Sequence, residues 1–326
     1  MKKRFWKRLR RLRIGYCVIG IVLVFALLVG SVIVVKYRAD KRVFAGYDAG
    51  LPLDVEVLDS TETAAGTKQL IEITGLAGER IPLRVIIPAN AEPPYRSVVF
   101  LYGIGQDLRF FDRIADLFGE RGVLLVMPEQ YNRGVRRETR GFREVFALHE
   151  RSSRIVPETR RVVDYLLQRG DVDPERLDLF GASYGGIMGC AVMNHEPRFR
   201  SAVIALAGGD LPMLIGSLVD SEDMGFASPF VKTFGSWMLS AFEPLDQVAG
   251  IGTRPVLFQH LEGDDLIPKE SADALFEAAP EPKIRSWLKD SHTSIDEKTV
   301  GVLIEEALEW LETVEPAPRR EPSLQD

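Results

Sequence analysis

Cysteine and histidine are scarce in this chain: two of the former and four of the latter in 326 residues. Cys17 and Cys190 lie in segments of very different character, so neither a disulfide framework nor a cysteine-based metal cluster is indicated. No set of His, Asp, Glu and Cys residues has metal-ligand spacing, and no metal is expected. Gly103-Ile104-Gly105 lacks the third glycine of a dinucleotide loop, so no nucleotide cofactor is implied. Basic residues are also thin beyond the N-terminus. Residues 1–42 hold 12 Lys/Arg against one Asp, a net of +11, and the remaining 29 basic and 46 acidic groups give 43–326 a net of −17. Phosphate binding needs clustered cations, so this acidic body excludes nucleic acid as a partner. No internal repeat is found.

Charge is missing altogether from Ile14 to Val35, a run of 22 residues. As a helix it spans about 33 Å, enough for the hydrocarbon core of a bilayer. Lys2, Lys3, Arg4, Lys7, Arg8, Arg10, Arg11 and Arg13 precede it, against Lys36, Arg38, Lys41 and Arg42 after it. The heavier positive end stays cytoplasmic, which puts the body on the extracytoplasmic side. A cleaved signal peptide is the rival reading. Its apolar core is shorter, and no small-x-small site follows Val35, where Lys36-Tyr37-Arg38 stands. The chain therefore divides into a basic cytoplasmic segment (1–13), a transmembrane helix (14–35), a tether (36–66), a body (67–314) and a proline-rich, mixed-charge tail (315–326) expected to be disordered. Cys17 reads as an apolar filler of the membrane helix.

The body opens with two β-like runs, Lys68 to Thr74 and Arg80 to Ile87, joined through Gly75-Leu76-Ala77-Gly78-Glu79 as a hairpin. Strand and helix then alternate. Apolar runs at Ser97–Tyr102, Val123–Met127, Ser201–Ala207, Pro255–His260 and Lys283–Leu288 predict buried strands. Helical spacing marks 108–121, 156–169, 269–279 and 295–314. Residues 129–154 are polar and hold no clear strand. Their arginines at 133, 136, 137, 140, 143, 151 and 154 read as a solvated loop. Residues 208–250 interrupt the rhythm with Met, Phe and Trp, as a small cap does. Such alternation predicts an α/β fold: a mostly parallel sheet with helices on both faces.

The stretch Leu177-Asp178-Leu179-Phe180-Gly181-Ala182-Ser183-Tyr184-Gly185-Gly186 runs a short apolar strand straight into Gly-x-Ser-x-Gly, with a small-residue helix behind it. That order is what a nucleophile elbow needs. The chain reverses so sharply that the serine takes a strained backbone, and side chains two residues either side would collide.

In element order and spacing, residues 67–314 resemble the α/β-hydrolase superfamily, and the opening hairpin is most similar to its dienelactone hydrolase and prolyl-oligopeptidase-type branch. The resemblance implies a Ser-His-Asp triad with Ser183 as nucleophile. Of the four histidines, only His292, in Lys289-Asp290-Ser291-His292-Thr293, follows the last predicted strand, where the family carries its base. His195 reads as a surface residue and His260 as structural. Leu261-Glu262-Gly263-Asp264-Asp265-Leu266-Ile267-Pro268 matches the family's Asp-x-x-Val/Ile-Pro loop and selects Asp264 as the acid, although Leu261 stands where that loop usually has glycine. Asp265 and Asp210 remain as alternatives. The oxyanion hole falls to the backbone N–H groups of Ile104 and Tyr184. The family often has His-Gly before the first of these and this chain has Tyr102-Gly103, so the Tyr102 hydroxyl is expected near the pocket. The function implied is a membrane-anchored serine hydrolase acting on small or lipid-like carboxylic esters through an acyl-enzyme, without cofactor. A serine peptidase of prolyl-oligopeptidase type and a non-catalytic hydrolase-fold binding protein are the alternatives.

Overall fold

Strands buried on both faces show no polar alternation. In the computed structural model, which describes residues 22–138, 144–221 and 228–314, that pattern marks the middle of one sheet. The chain forms two compact units, residues 1–43 and 44–326. Residues 1–21 with Cys17, the arginines at 140 and 143, Phe226 and the tail 315–326 lie outside the described residues.

In the first unit, helix α1 (Val22–Asp40) has a mean hydropathy of 2.0 and none of its apolar window is buried. Its 19 residues run about 28 Å, close to the thickness of a bilayer core. The helix passes the expected end at Val35, and Lys36 pairs with Asp40 one turn on at 2.6 Å.

The second unit is built on nine strands in the order β1-β2-β3-β5-β4-β6-β7-β8-β9. These are β1 (Glu56–Glu62), β2 (Gly66–Thr74), β3 (Arg80–Pro88), β4 (Tyr95–Leu101), β5 (Leu124–Pro128), β6 (Val172–Ala182), β7 (Ser201–Ala205), β8 (Val256–Leu261) and β9 (Lys283–Leu288). The first four strands of that order pair antiparallel and the rest parallel. Every residue of β5, β7 and β8 is buried. On one face α2 (Phe111–Glu120) packs with α9 (Glu297–Thr313); on the other lie α3 (Glu144–Gln168), α4 (Tyr184–His195), α7 (Pro244–Ala249) and α8 (Lys269–Ala278). Helix α2 shows why such elements form. Phe111, Ile114, Ala115 and Phe118 recur at helical spacing and are fully buried, and Gly122 ends the segment at a positive φ of 69°. The α5–α6 helical hairpin (Leu211–Ser221 and Ser228–Leu239) stands in the stretch expected to form a cap.

Three expectations need correcting. The stretch 36–66, read as a tether, is structured from residue 44 on. Phe44 rests on His195 and Phe242, Tyr47 donates to Asp164 at 2.8 Å, and 56–62 is strand β1. All seven residues of β1 are exposed, so no apolar alternation announced it. Helix α3 begins twelve residues before the expected start at Val156, with Pro157 inside it. Proline favours the first turn of a helix, so the segment reads as a start there; ion pairs from Arg154 to Glu150 and Glu158 hold the earlier turns. Among the described residues, the arginines of 129–154 are also not all solvated. Arg151 is 2% exposed and donates to the Tyr131 carbonyl, while the Arg136 side chain makes two bonds to Glu158 at 2.7 and 2.8 Å.

Strand order places the functional region. After β4 the chain steps outward to β5 and then returns to the other side of β4 with β6. Ligand sites in open α/β sheets lie beyond the carboxyl ends of the strands at such a switch point. The ends in question are Leu101 of β4 and Ala182 of β6.

Candidate active site

Ser183 occupies the single step between β6 and α4. Its φ of 55° and ψ of −121° lie in a region that non-glycine residues avoid, at a cost of about 1–3 kcal/mol. Two neighbours make the turn sterically feasible. A Cβ at Gly181 would stand 2.4 Å from the Gly185 carbonyl oxygen, and one at Gly185 would stand 2.0 Å from that of Leu101. The Ser183 N–H donates to Ala205 at 2.8 Å, tying the turn to β7.

His292 follows β9 and comes from 109 residues further along the chain, yet its Nε2 lies 2.8 Å from Ser183 Oγ. Its Nδ1 lies 3.0 and 3.2 Å from the two oxygens of Asp264. A carboxylate only accepts, so the imidazole proton faces Asp264 and Nε2 is left to accept from the serine hydroxyl. Asp264 is itself oriented, since the N–H groups of Leu266 and Ile267 donate to its Oδ1 at 2.9 and 2.8 Å.

The two alternative acids are engaged elsewhere. Asp265 accepts from the Thr293 N–H at 3.1 Å and from the Thr293 hydroxyl. The hydroxyl bond holds its carboxyl down to about 2. It thereby clamps the loop after β8 to the loop carrying His292. Asp210 accepts from the Met213 N–H at 3.1 Å at the start of α5, and its own N–H donates to Glu243.

Two backbone segments adjoin the serine. Tyr184 is the first residue of α4, where the leading N–H groups have no carbonyl one turn back. A Cβ on Gly103 would lie 3.1 Å from the Ser183 Cβ, so Gly103 packs closely against the nucleophile, and Ile104 lines the same cavities as Ser183. Tyr102 differs from expectation. Its ring is fully buried and its hydroxyl donates to Glu129 rather than entering the pocket. Burial, then the adjacent Glu129, pushes the Tyr102 phenol well above its ordinary value. Burial likewise raises the Glu129 carboxyl, opposed by the bond from Tyr102. Glu129 also accepts from the Leu108 backbone, while Gln130 donates its N–H to the Tyr102 hydroxyl at 2.9 Å and its side-chain amide to the Tyr102 carbonyl at 2.8 Å. The loop from Gly103 to Leu108 is thus pinned at both ends. Sequence reasoning missed Glu129; the available signal was a carboxylate directly after the apolar strand ending Met127-Pro128.

His260 is buried in β8 against Trp287, and burial pushes it down to about 4, in keeping with a structural role. Among the described residues no group of His, Cys, Asp and Glu side chains is arranged to hold a metal ion. Two apolar cavities open beside Ser183. One, of about 210 Å³, runs between the sheet and α9 past Phe100, Phe180 and Ile304. The other, of about 150 Å³, lies under α5 against Met188, Leu214 and Ile215.

Known proteins share this frame. Residues 109–314 match the prolyl oligopeptidase family. The protein YfhR of Salmonella typhi is 26% identical over 217 residues, covering 67% of this chain and 70% of its own. The solved structure of an acetyl xylan esterase from Paenibacillus sp. R4 superposes with a TM-score of 0.67 at 16% identity, over 86% of this chain and 94% of that one. Acetyl xylan esterase 1 from Thermoanaerobacterium sp. JW/SL YS485 superposes with a TM-score of 0.65 at 16% identity, over 85% and 93%. These two likenesses speak to the α/β-hydrolase fold.

Proposed function

The chain belongs to the prolyl oligopeptidase family, and on that premise we propose that it is a serine hydrolase of carboxylic esters acting through Ser183, His292 and Asp264. As Ser183 Oγ attacks the ester carbonyl, its proton passes to His292 Nε2, and Asp264 holds the resulting imidazolium. The charge on the former carbonyl oxygen meets the backbone N–H groups of Ile104 and Tyr184; one such donor is worth roughly 3–4 kcal/mol. The intermediate collapses to an acyl-enzyme as His292 gives its proton to the leaving alcohol. Water then attacks the acyl carbon, His292 takes and returns a proton, and the acid departs from Ser183.

The observation that carries this reading is the relay of 2.8 and 3.0 Å contacts from Ser183 through His292 to Asp264. Ser183→Ala is expected to abolish both ester hydrolysis and labelling by a fluorophosphonate probe; labelling that survives the substitution sinks the assignment. Peptide cleavage would use the same groups. Ester cleavage is favoured because, among the described residues, no carboxylate lines either cavity to meet a substrate amine. The solved acetyl xylan esterases of the same fold are named for ester substrates, which points the same way. A serine held at positive φ on the step from strand to helix is what a nucleophile elbow needs, which favours an enzyme over a binding protein without activity.

Membrane anchoring through 14–35, with the N-terminus cytoplasmic and the body outside, rests on the apolar run continued by α1 and the flanking cations. Full-length protein is expected to stay with membranes through alkaline carbonate extraction and to become soluble when residues 1–35 are deleted. Release of the full-length chain by carbonate overturns the anchor.

A further inference from the structure

The two cavities beside Ser183 are separate spaces with a common mouth. Ser183, Ile104, Leu266 and His292 line both of them. Away from that junction the linings diverge. The larger is walled by Phe100, Phe110 and Phe180 and by Val300, Leu303 and Ile304 of α9. The smaller is walled by Met188 of α4, Leu211, Leu214 and Ile215 of α5, and Leu239 and Phe242. An ester carbonyl carbon at Ser183 Oγ has two substituents, and the junction offers each an apolar cavity.

Size and polarity define what would fit. An apolar cavity of about 150 Å³ holds a benzene ring; these measure about 210 and 150 Å³. Few polar side chains line them, and those that do make contacts of their own. Gln106 Oε1 accepts from the Gly103 N–H at 3.1 Å. Arg113 lies over the Phe110 ring and pairs with Glu297 at 3.7 Å. In the smaller cavity the Ser152 and Tyr184 hydroxyls bond one another at 3.0 Å. A sugar hydroxyl or peptide amide entering either cavity would leave water without a replacement partner, whereas a hydrocarbon group loses nothing.

We infer that the substrate is an ester carrying an apolar group of about phenyl size or larger on each side of its ester bond, the acyl group seated in one cavity and the alcohol group in the other. The inference rests on the hydrolase reading above and deepens it: an acetylated carbohydrate would leave one cavity empty and present hydroxyls to the other.

The test uses the full-length chain in a non-ionic detergent and two ester series. In one the acyl chain grows from acetyl to octanoyl on a constant alcohol; in the other the alcohol grows from methyl to hexyl on a constant acid. In each, kcat/KM is expected to rise about fourfold per added methylene until a cavity is full. Ile215→Trp narrows the smaller cavity and Val300→Phe the larger. Each substitution is expected to flatten one series and leave the slope of the other, the two acting on opposite series. Both variants flattening the same series, or a parent indifferent to length in either, overturns the inference. Fluorophosphonate labelling of the parent separates the two levels. Labelled Ser183 with flat series removes this inference alone, while an unlabelled Ser183 removes the hydrolase reading and the inference together.

Discussion

The elbow and the loops around it deliver their groups to one point by opposite means. At the elbow, the five consecutive residues Gly181–Gly185 do the work: β6 ends at Ala182, Ser183 turns at positive φ, and α4 begins at Tyr184. Beyond room for the backbone to pass, its distant tie is the Ser183 N–H to the Ala205 carbonyl, a backbone bond that no side-chain substitution removes. The loops carrying Ile104 and His292 have no such internal geometry. The first is held by Tyr102, Glu129 and Gln130 across 27 residues, and the second by Asp264 and Asp265 across 28. Local backbone geometry is either present or absent, whereas side-chain ties can be cut one at a time. The two regions should therefore fail differently.

The severest break is at the elbow. In Gly185→Ala the new Cβ would stand 2.0 Å from the Leu101 carbonyl oxygen, backbone that no rotamer change can relieve. We expect Tm to fall by about 10 °C or more and Ser183 to lose labelling. A variant with parental Tm and labelling would show that the elbow is looser than its geometry.

Cutting the tie at His292 should remove activity and spare the fold. Asp264→Asn keeps the shape but presents an amide to Nδ1, which disfavours the tautomer that leaves Nε2 free to accept; kcat is expected to drop on the order of 10⁴-fold. Asp265→Asn should leave kcat within about threefold, because Asp265 faces Thr293 and not the ring. Its effect is on stability and depends on pH. The folded carboxyl titrates near 2, below its ordinary value of 3.8, so its contribution is present above about pH 4 and is lost as pH falls toward 2. The Tm difference between parent and Asp265→Asn is expected to be under about 3 °C at pH 7 and to vanish near pH 2. A large loss of kcat in Asp265→Asn with little in Asp264→Asn would exchange the two roles.

The mildest break is at the loop bearing Ile104. Tyr102→Phe leaves the Glu129 carboxyl and the Gln130 N–H without the hydroxyl they share. On the proposed mechanism, displacing the Ile104 N–H by a fraction of an ångström should lower kcat about tenfold with KM nearly unchanged, because an oxyanion donor acts on charge that exists only in the transition state. A rise in KM at constant kcat would instead place Tyr102 in substrate binding.

The difference in mechanism also explains what could be read from the residues. The strand run Leu177–Phe180, the glycines of the elbow and the Asp264-to-Pro268 loop are each written in short windows, and their order along the chain is read directly. The structure brings Ser183, Asp264 and His292 to one place. Strand β1 was not legible because all its residues are exposed and its partner supplies the pairing. The early turns of α3 were hidden by Pro157, which looks like a helix start. The orientation of Tyr102 depends on a carboxylate 27 positions away, and no local pattern reports it.

Hydrophobic periodicity and turn chemistry are properties of neighbouring residues, so the sequence alone determined the alternating strands and helices, the apolar run at the N-terminus, and the strained turn that must present Ser183. Which aspartate meets His292, where the Tyr102 hydroxyl points, and that two apolar cavities share one mouth at Ser183 are decided by how distant segments pack. Those outcomes depend on contacts between residues far apart in the chain, and such contacts exist only once the sheet has assembled.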